Sequence, residues 1–285
     1  MCKVSIVIPA YNEAEAIEGV IKDIIGTMRG ADLKYEIIVV DDGSDDRTAQ
    51  IVRTIEGVKL LQHPYNKGVG TARMTGIKGA AGDIIVMIDG DGSYSSKDIP
   101  VLLDYMGQYD MVIGARKAEA GTLRLLRKPT KWVLRRLAEY ISREKIPDLN
   151  SGLRAFKKEI ALRYFNILPE GHSWISTITI AFLSDNCDVK YVPIDYYRRK
   201  GRSTFRPIAD TTAYFLLIFR TIMYFKPLRI FAPVAVAIFI LGVIRTIYDA
   251  TILHDIKESD VIIVLASILI GVLGLLADLI VKKSR

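Results

Sequence analysis

Four short apolar runs near the start of the chain restrict it to one fold class. Residues 4–9, 36–40 and 84–88 are rich in β-branched side chains, residues 58–62 carry Val58, Leu60 and Leu61, and each run stops at a polar, turn-forming loop. Between them lie helical patterns over 13–28, 48–54 and 73–80. Strand and helix alternating at this spacing predict βαβ units and a mostly parallel, doubly wound α/β sheet. The first run is too short for a signal peptide and leads into an acidic helix, so it reads as a core strand.

In such a sheet the strand ends share one edge, where open α/β proteins bind their ligands. Here that edge carries Tyr11, Asn12, Glu13, Asp41, Asp42, Lys67, Asp89 and Asp91. The fourth run ends in Asp89-Gly90-Asp91-Gly92. Side chains two positions apart on an extended chain project to the same side, and the glycines admit a close ligand. Paired carboxylates suit a hard divalent cation that bridges protein oxygens to substrate phosphates. An ordinary Asp-Gly turn has the same residues, so the reading depends on the rest of the edge. Ser44 or Asp45 is placed to cap the helix over 48–54. The Gly68-Val69-Gly70 stretch lacks the third glycine of a dinucleotide fingerprint, and no Walker glycine-lysine pattern occurs.

Further along, residues 110–114 form another strand, ending in Ala115-Arg116-Lys117. Residues 123–143 are strongly basic, with Arg127, Lys131 and Arg135 at near-helical spacing among Leu, Trp132 and Val133. That run fits a solvated helix face or an amphipathic segment on anionic lipid. It does not fit a nucleic-acid-binding element, because no recognised fold accompanies it. A polar turn from Asp148 leads into a short strand through Phe156, then come a helix over 173–184 and a strand over 189–196. Arg198, Arg199, Lys200 and Arg202 follow on a loop; His172 is assigned no role.

Residues 228–248 and 261–281 each supply about the 20 apolar residues that a bilayer crossing needs. The expected spans, about 228–249 and 260–281, are joined by a short polar loop. Lys226 and Arg229 flank the first, and Lys282, Lys283 and Arg285 follow the second. By the positive-inside rule both termini and the preceding domain face the cytoplasm, giving a multi-pass cell-membrane protein. Arg245 and Asp278 lie at opposite depths, so snorkelling is expected in place of a salt bridge between them. Residues 207–225 are apolar with a polar stripe of Asp210, Tyr214, Thr221 and Tyr224, as in a helix lying in the membrane interface. Three regions result: a domain over 1–206, an interfacial helix over 207–227 and a transmembrane hairpin over 228–285.

The 285 residues can bury a full core, and half of them are apolar, with the excess beyond about residue 208. The net charge of +7 points to anionic partners, either phosphates or a membrane surface. Cys2 and Cys187 match no metal or redox spacing and read as free thiols in a reducing compartment.

The motifs Val-Ile-Pro-Ala-Tyr-Asn-Glu, Val-Val-Asp-Asp-Gly-Ser-x-Asp-x-Thr, Asn-Lys-Gly and Asp-x-Asp, in this order, resemble the family 2 glycosyltransferases of the A-type fold. Asp148-x-x-Ser151-Gly152-x-Arg154-Ala155-Phe156 and Arg199-x-Gly201-x-Ser203 are similar to the polyprenyl-phosphate branch, which includes dolichyl-phosphate mannose synthases and undecaprenyl-phosphate glucosyltransferases. The likeness covers roughly the first 205 residues. It implies that Pro9, Tyr11, Glu13 and Asp42 hold the nucleotide base and ribose, with Asp41 beside them. It implies that Asp89 and Asp91, with Gly90 between them, hold Mg2+ or Mn2+ against the donor diphosphate. Lys67 joins the donor-binding set, and Arg199 with Ser203 closes over the donor. Arg116 and the basic segment, through Arg127, Lys131 and Arg135, would meet the acceptor phosphate. Asp148 matches an acid near the reaction centre, either a base or a positioning group. The implied substrates are a UDP- or GDP-hexose and a polyprenyl phosphate lipid, with a homo-oligomer through the transmembrane helices as a possible assembly.

Two other readings are open to such a chain. A processive polysaccharide synthase would carry a Gln-x-x-Arg-Trp motif and more spans, and this sequence has neither. A silent nucleotide-sugar-binding scaffold would be favoured by loss of one Asp-x-Asp carboxylate, and both are present.

Overall fold

Strand β1 (Val4–Ala10) is buried along its whole length and pairs in parallel on both sides, with β2 (Tyr35–Asp41) and β4 (Ile84–Met87). Its Val and Ile side chains suit a sheet covered on both faces. The computed structural model describes residues 4–30, 33–117, 136, 139, 145–171, 173–199, 223–224, 226–255 and 257–283. The chain divides into two compact units, Met1–Ile218 and Phe219–Arg285.

The first unit is built on a seven-stranded sheet of order β3-β2-β1-β4-β6-β5-β7, which adds β3 (Val58–Gln62), β5 (Met111–Arg116), β6 (Arg154–Lys157) and β7 (Val189–Ile194). All pairings are parallel except those of β6, which runs antiparallel between β4 and β5. The expected α/β doubly wound sheet is therefore present, with one reversed strand that apolar patterning does not reveal. The reversal matters for the site. An antiparallel strand starts where its parallel neighbours end, so Ser151 and Gly152, just before β6, lie beside Asp89, just after β4.

Helix α1 (Ile17–Met28) buries Ile17, Val20, Ile21, Ile24 and Met28, a stripe at helical spacing that packs on the sheet. Each such side chain contributes about 1.5–3 kcal/mol on burial. The helix starts four residues later than the pattern over 13–28 predicts. Glu13 ends in a turn whose carbonyl accepts from the Ala16 and Ile17 N–H groups, and its own N–H donates to Thr48 Oγ1 at 2.9 Å. Helix α2 (Thr48–Arg53) is also begun differently from expectation. Asp46 Oδ1 accepts the Thr48 N–H at 2.8 Å, whereas Ser44 bonds Asp41 and the Asn12 N–H. Helices α3 (Val69–Gly79), α4 (Asp98–Asp104), α5 (Lys158–Leu162) and α6 (Trp174–Ser184) complete the unit's described elements. Arg154, fully buried, ties β6 to α6 through the Ile175 carbonyl and Thr179 Oγ1, and it also bonds the Ser151 carbonyl. Burial, then the nearby Arg73 charge, lowers its pKa to about 10.

The second unit is a helical hairpin of α7 (Leu228–Tyr248), continued by a π-helical turn Asp249–Leu253, and α8 (Glu258–Lys283). Both segments are long and apolar enough to cross a membrane, and the connection is shorter than the loop expected from sequence. Small residues let the helices approach: a Cβ on Gly274 would meet Phe231 Cβ at 2.5 Å. Arg245 does not merely snorkel. Its Nε lies 2.9 Å from Asp260 Oδ1 on the other helix, and Lys257 faces Asp249 at 3.3 Å. Asp278 pairs with Lys282, one turn further along the same helix. The expected interfacial helix lies almost wholly outside the described residues.

Candidate active site

The carboxyl edge of the parallel strands gathers three acids. Asp89 and Asp91 follow β4, and Glu13 follows β1. Asp91 is 8 % exposed, and its Oδ1 accepts the Ser93 N–H at 3.0 Å and the Ser93 hydroxyl at 2.5 Å. Its Oδ2 faces Arg199 Nε at 3.8 Å. Asp89 Oδ1 accepts from Arg73 Nη2 at 3.0 Å, an arginine on α3 buried against the face of Trp174. Asp89 Oδ2 lies over Gly152, where an added Cβ would stand only 2.1 Å away. Gly90 is enclosed by Ile17, Ile8 and the Pro9 carbonyl, so it packs the loop onto β1.

The electrostatics of this cluster favour a cation. Burial, then the Asp91 charge, raises Glu13 to about 7, against a lowering by Arg199. Burial, then the Asp89 charge, raises Asp91. Burial sets most of these shifts, and the mutual repulsion that adds to them marks a point of negative potential. Among the described residues no group of three or more His, Cys, Asp or Glu side chains encloses a metal. Two carboxylates alone would leave most positions of a bound divalent cation to water and other oxygens.

Beside the acids is a cleft of about 550 Å³ lined by Tyr11, Gly43, Ser44, Gln62, Tyr65, Asn66 and their neighbours. Its walls are fixed from behind. Asp41, fully buried, accepts from Ser44 and from Gln62 Nε2 at 3.0 Å. Asp42 accepts from His63, from the Lys67 N–H at 3.0 Å and from the Gly68 N–H at 2.8 Å. Gly43 has a φ of 71°, and a Cβ there would strike the Tyr65 backbone at 2.4 Å, so only glycine closes this turn. Of the residues expected to hold a nucleoside, Tyr11 lines the cleft. Asp41 and Asp42 are buried behind it, where their carboxylates accept from the internal donors just named. Glu13 lies close enough to Asp91 and Asp89 to feel their charge. Lys67 stands over the Tyr65 ring at 5.3 Å, on the cleft's rim. Pro9 is a buried residue of β1, in register with Val40.

Residues 5–165 match the glycosyl transferase family 2 model, more than half of the chain. The chain belongs to glycosyl transferase family 2. Residues 226–282 match a second model, the GtrB C-terminal hairpin, over the helical unit. This family 2 glycosyltransferase is 29 % identical over 299 residues to glycosyltransferase AglJ of Haloferax volcanii, covering 99 % of this chain and 95 % of that one. It is 35 % identical over 172 residues to dolichol-phosphate mannosyltransferase of Pyrococcus furiosus, covering 55 % of this chain and 47 % of that protein. Among solved structures, glucosyl-3-phosphoglycerate synthase from Mycobacterium tuberculosis, in complex with Mn2+, uridine diphosphate and glucosyl-3-phosphoglycerate, aligns with a TM-score of 0.62 at 22 % identity. The alignment covers 77 % of this chain and 80 % of that one, and it shares the fold.

On the same edge of the glycosyltransferase, Arg116 ends β5 and pairs with Asp148 in a two-pronged contact, Nε to Oδ2 at 2.7 Å and Nη2 to Oδ1 at 2.9 Å. Its guanidinium also lies 5.2 Å from the Tyr196 ring centre. Arg127, Lys131, Arg135 and Ser203 lie outside the described residues. The sequence assigns no role to Arg73 or His63 and shows Gly152 only as part of a motif, yet all three border the acids or the cleft. Each is a common residue type whose role depends on which element it packs against.

Proposed function

We propose that this protein is a membrane-anchored, inverting glycosyltransferase that moves a hexose from a nucleoside diphosphate to a polyprenyl phosphate. The observation that carries the reading is the sharing of one sheet edge by Asp89 and Asp91, the adjoining cleft and Arg116, in a chain that also has an apolar hairpin. The likeness to a dolichol-phosphate mannosyltransferase supports the acceptor class. The cleft would take the nucleoside, with Tyr11 and Tyr65 supplying aromatic surface.

A Mg2+ or Mn2+ ion held by Asp89 and Asp91, when bound, would neutralise charge on the leaving diphosphate. Arg199, facing Asp91, would bring a further cation to the same oxygens, with Ser203 close behind it in sequence. Arg116 would orient the acceptor phosphate, approached along a cationic track of Arg127, Lys131 and Arg135. An ionised phosphate oxygen attacks the anomeric carbon. The new carbon–oxygen bond forms as the bond to the nucleoside diphosphate breaks, and no proton has to be removed. The cations let two anions approach, which would otherwise repel strongly at low dielectric. Both termini and the catalytic unit would be cytoplasmic.

The test is incubation of the purified full chain in detergent with Mg2+ or Mn2+, a polyprenyl phosphate and a panel of radiolabelled UDP- and GDP-hexoses. Label in the organic phase from one donor supports the reading. Label released only as free sugar contradicts it.

A further inference from the structure

We infer that Asp148 is a positioning residue that holds Arg116 in place, not a proton acceptor; the inference deepens the proposed function and rests on it for the identity of the acceptor. A carboxylate offers about four lone-pair directions. In Asp148 four N–H groups occupy them. Oδ2 accepts from Arg116 Nε at 2.7 Å and from the Arg116 backbone N–H at 3.2 Å. Oδ1 accepts from Arg116 Nη2 at 2.9 Å and from the Asn150 N–H at 3.0 Å. Both side chains are nearly enclosed, 12 % exposed for Arg116 and 10 % for Asp148. Burial alone would raise the acid, but the hydrogen bonds and charge of Arg116 win and hold it below the ordinary carboxylate range. A base must accept a proton easily, and taking one here would break the fork.

The fork also has a support across its face. Tyr196 stands 5.2 Å from the Arg116 guanidinium and meets Tyr94 edge-on at 5.2 Å. Tyr94 accepts the Gly152 N–H at 2.6 Å, and Gly152 lies under Asp89. Arg116 is thus set by Asp148 in its plane and by Tyr196 on its face, at a fixed place relative to the Asp-x-Asp acids. Arginine is suited to this because its planar donors recognise phosphate by direction as well as by charge.

The full chain in detergent is assayed with UDP-glucose and GDP-mannose as donors and farnesyl phosphate as acceptor, alongside slow donor hydrolysis by water. Asp148→Asn is expected to raise the farnesyl phosphate KM about tenfold or more while kcat stays within about threefold. Its hydrolysis rate should stay within about twofold of wild type, since that step would feel the loss of a base. Combined with Arg116→Gln, it should cost no more than Arg116→Gln alone, because the two act as one unit. Asp148→Glu keeps the charge and displaces the fork. It should show the same rise in KM, and it serves as the test where Asp148→Asn unfolds. A kcat fall of about a hundredfold with KM unchanged, or hydrolysis lost in Asp148→Asn that is still folded, would overturn the inference. Wild type that hydrolyses a donor but glycosylates no prenyl phosphate contradicts the proposed function instead. Hydrolysis in Asp148→Asn then still decides the role of Asp148.

Discussion

His63 stands on Asp42: the imidazole Nδ1 lies 2.6 Å from the Asp42 Oδ1, with the two side chains 9 % and 3 % exposed. The second imidazole nitrogen lies 2.9 Å from Thr75 Oγ1 on α3, and the same carboxylate holds the Lys67 and Gly68 N–H groups. One buried acid therefore fixes the turn that walls the cleft lined by Tyr11 and Tyr65. Asp42→Ala should destabilise the fold by about 1–3 kcal/mol, because buried donors lose their acceptor. It should also weaken donor binding, since the wall loosens. Thermal melting in detergent and nucleotide calorimetry check both; an unchanged melting temperature would contradict this role.

Gly152 is the floor beneath Asp89. A methyl group there would overlap Oδ2, which is held on its other side by Arg73 through Oδ1. Gly152→Ala should leave the fold assembled and lower Mn2+ affinity and kcat/KM by about tenfold or more. Metal titration of the activity, with melting as a control, reads the two effects apart.

The protonation of Glu13 should tune cation binding. Its carboxyl is raised from an ordinary 4.5 to about 7, by burial first and then by the charge of Asp91. Between those values the unfolded chain has released a proton that the folded chain keeps, so folding stability from this group falls as pH rises. A bound cation favours the ionised form, so Mn2+ affinity should grow from about pH 6 to about pH 8 by several fold. Glu13→Gln should flatten that slope. An unchanged slope in the variant would place the titrating group elsewhere.

The hairpin makes its own prediction. Ser259 lies in the first turn of α8, near the connection between the two apolar helices, where Arg245 meets Asp260. A cysteine replacing Ser259, in a chain lacking Cys2 and Cys187, should react with an impermeant thiol reagent added to intact cells. Labelling confined to broken cells would reverse the orientation.

Much of this was legible in the sequence because it is local. The buried strands announce themselves by runs such as Ile37, Ile38, Val39 and Val40, and Asp89 and Asp91 by their place at a strand end. Two long apolar segments identify the hairpin without reference to anything else. What stayed hidden depends on contacts distant in the chain. The direction of β6 is decided by its neighbours, and with it the meeting of Gly152 and Asp89. Arg73 reaches Asp89 across 16 residues and Asp148 reaches Arg116 across 32, with no local pattern to mark either pair. The end of β2 places Asp41 and Asp42 on the edge, yet side-chain direction there depends on donors from β3 and its following loop.

The most direct test of the central claim is the phosphorus NMR spectrum of the purified product formed from farnesyl phosphate and a labelled nucleotide sugar. Direct attack by the acceptor phosphate on the anomeric carbon predicts a single sugar–phosphate–prenyl diester, with nucleoside diphosphate released in equal amount. A lipid diphosphate accompanied by nucleoside monophosphate would contradict it, because the bond broken would then be phosphorus–oxygen and not carbon–oxygen.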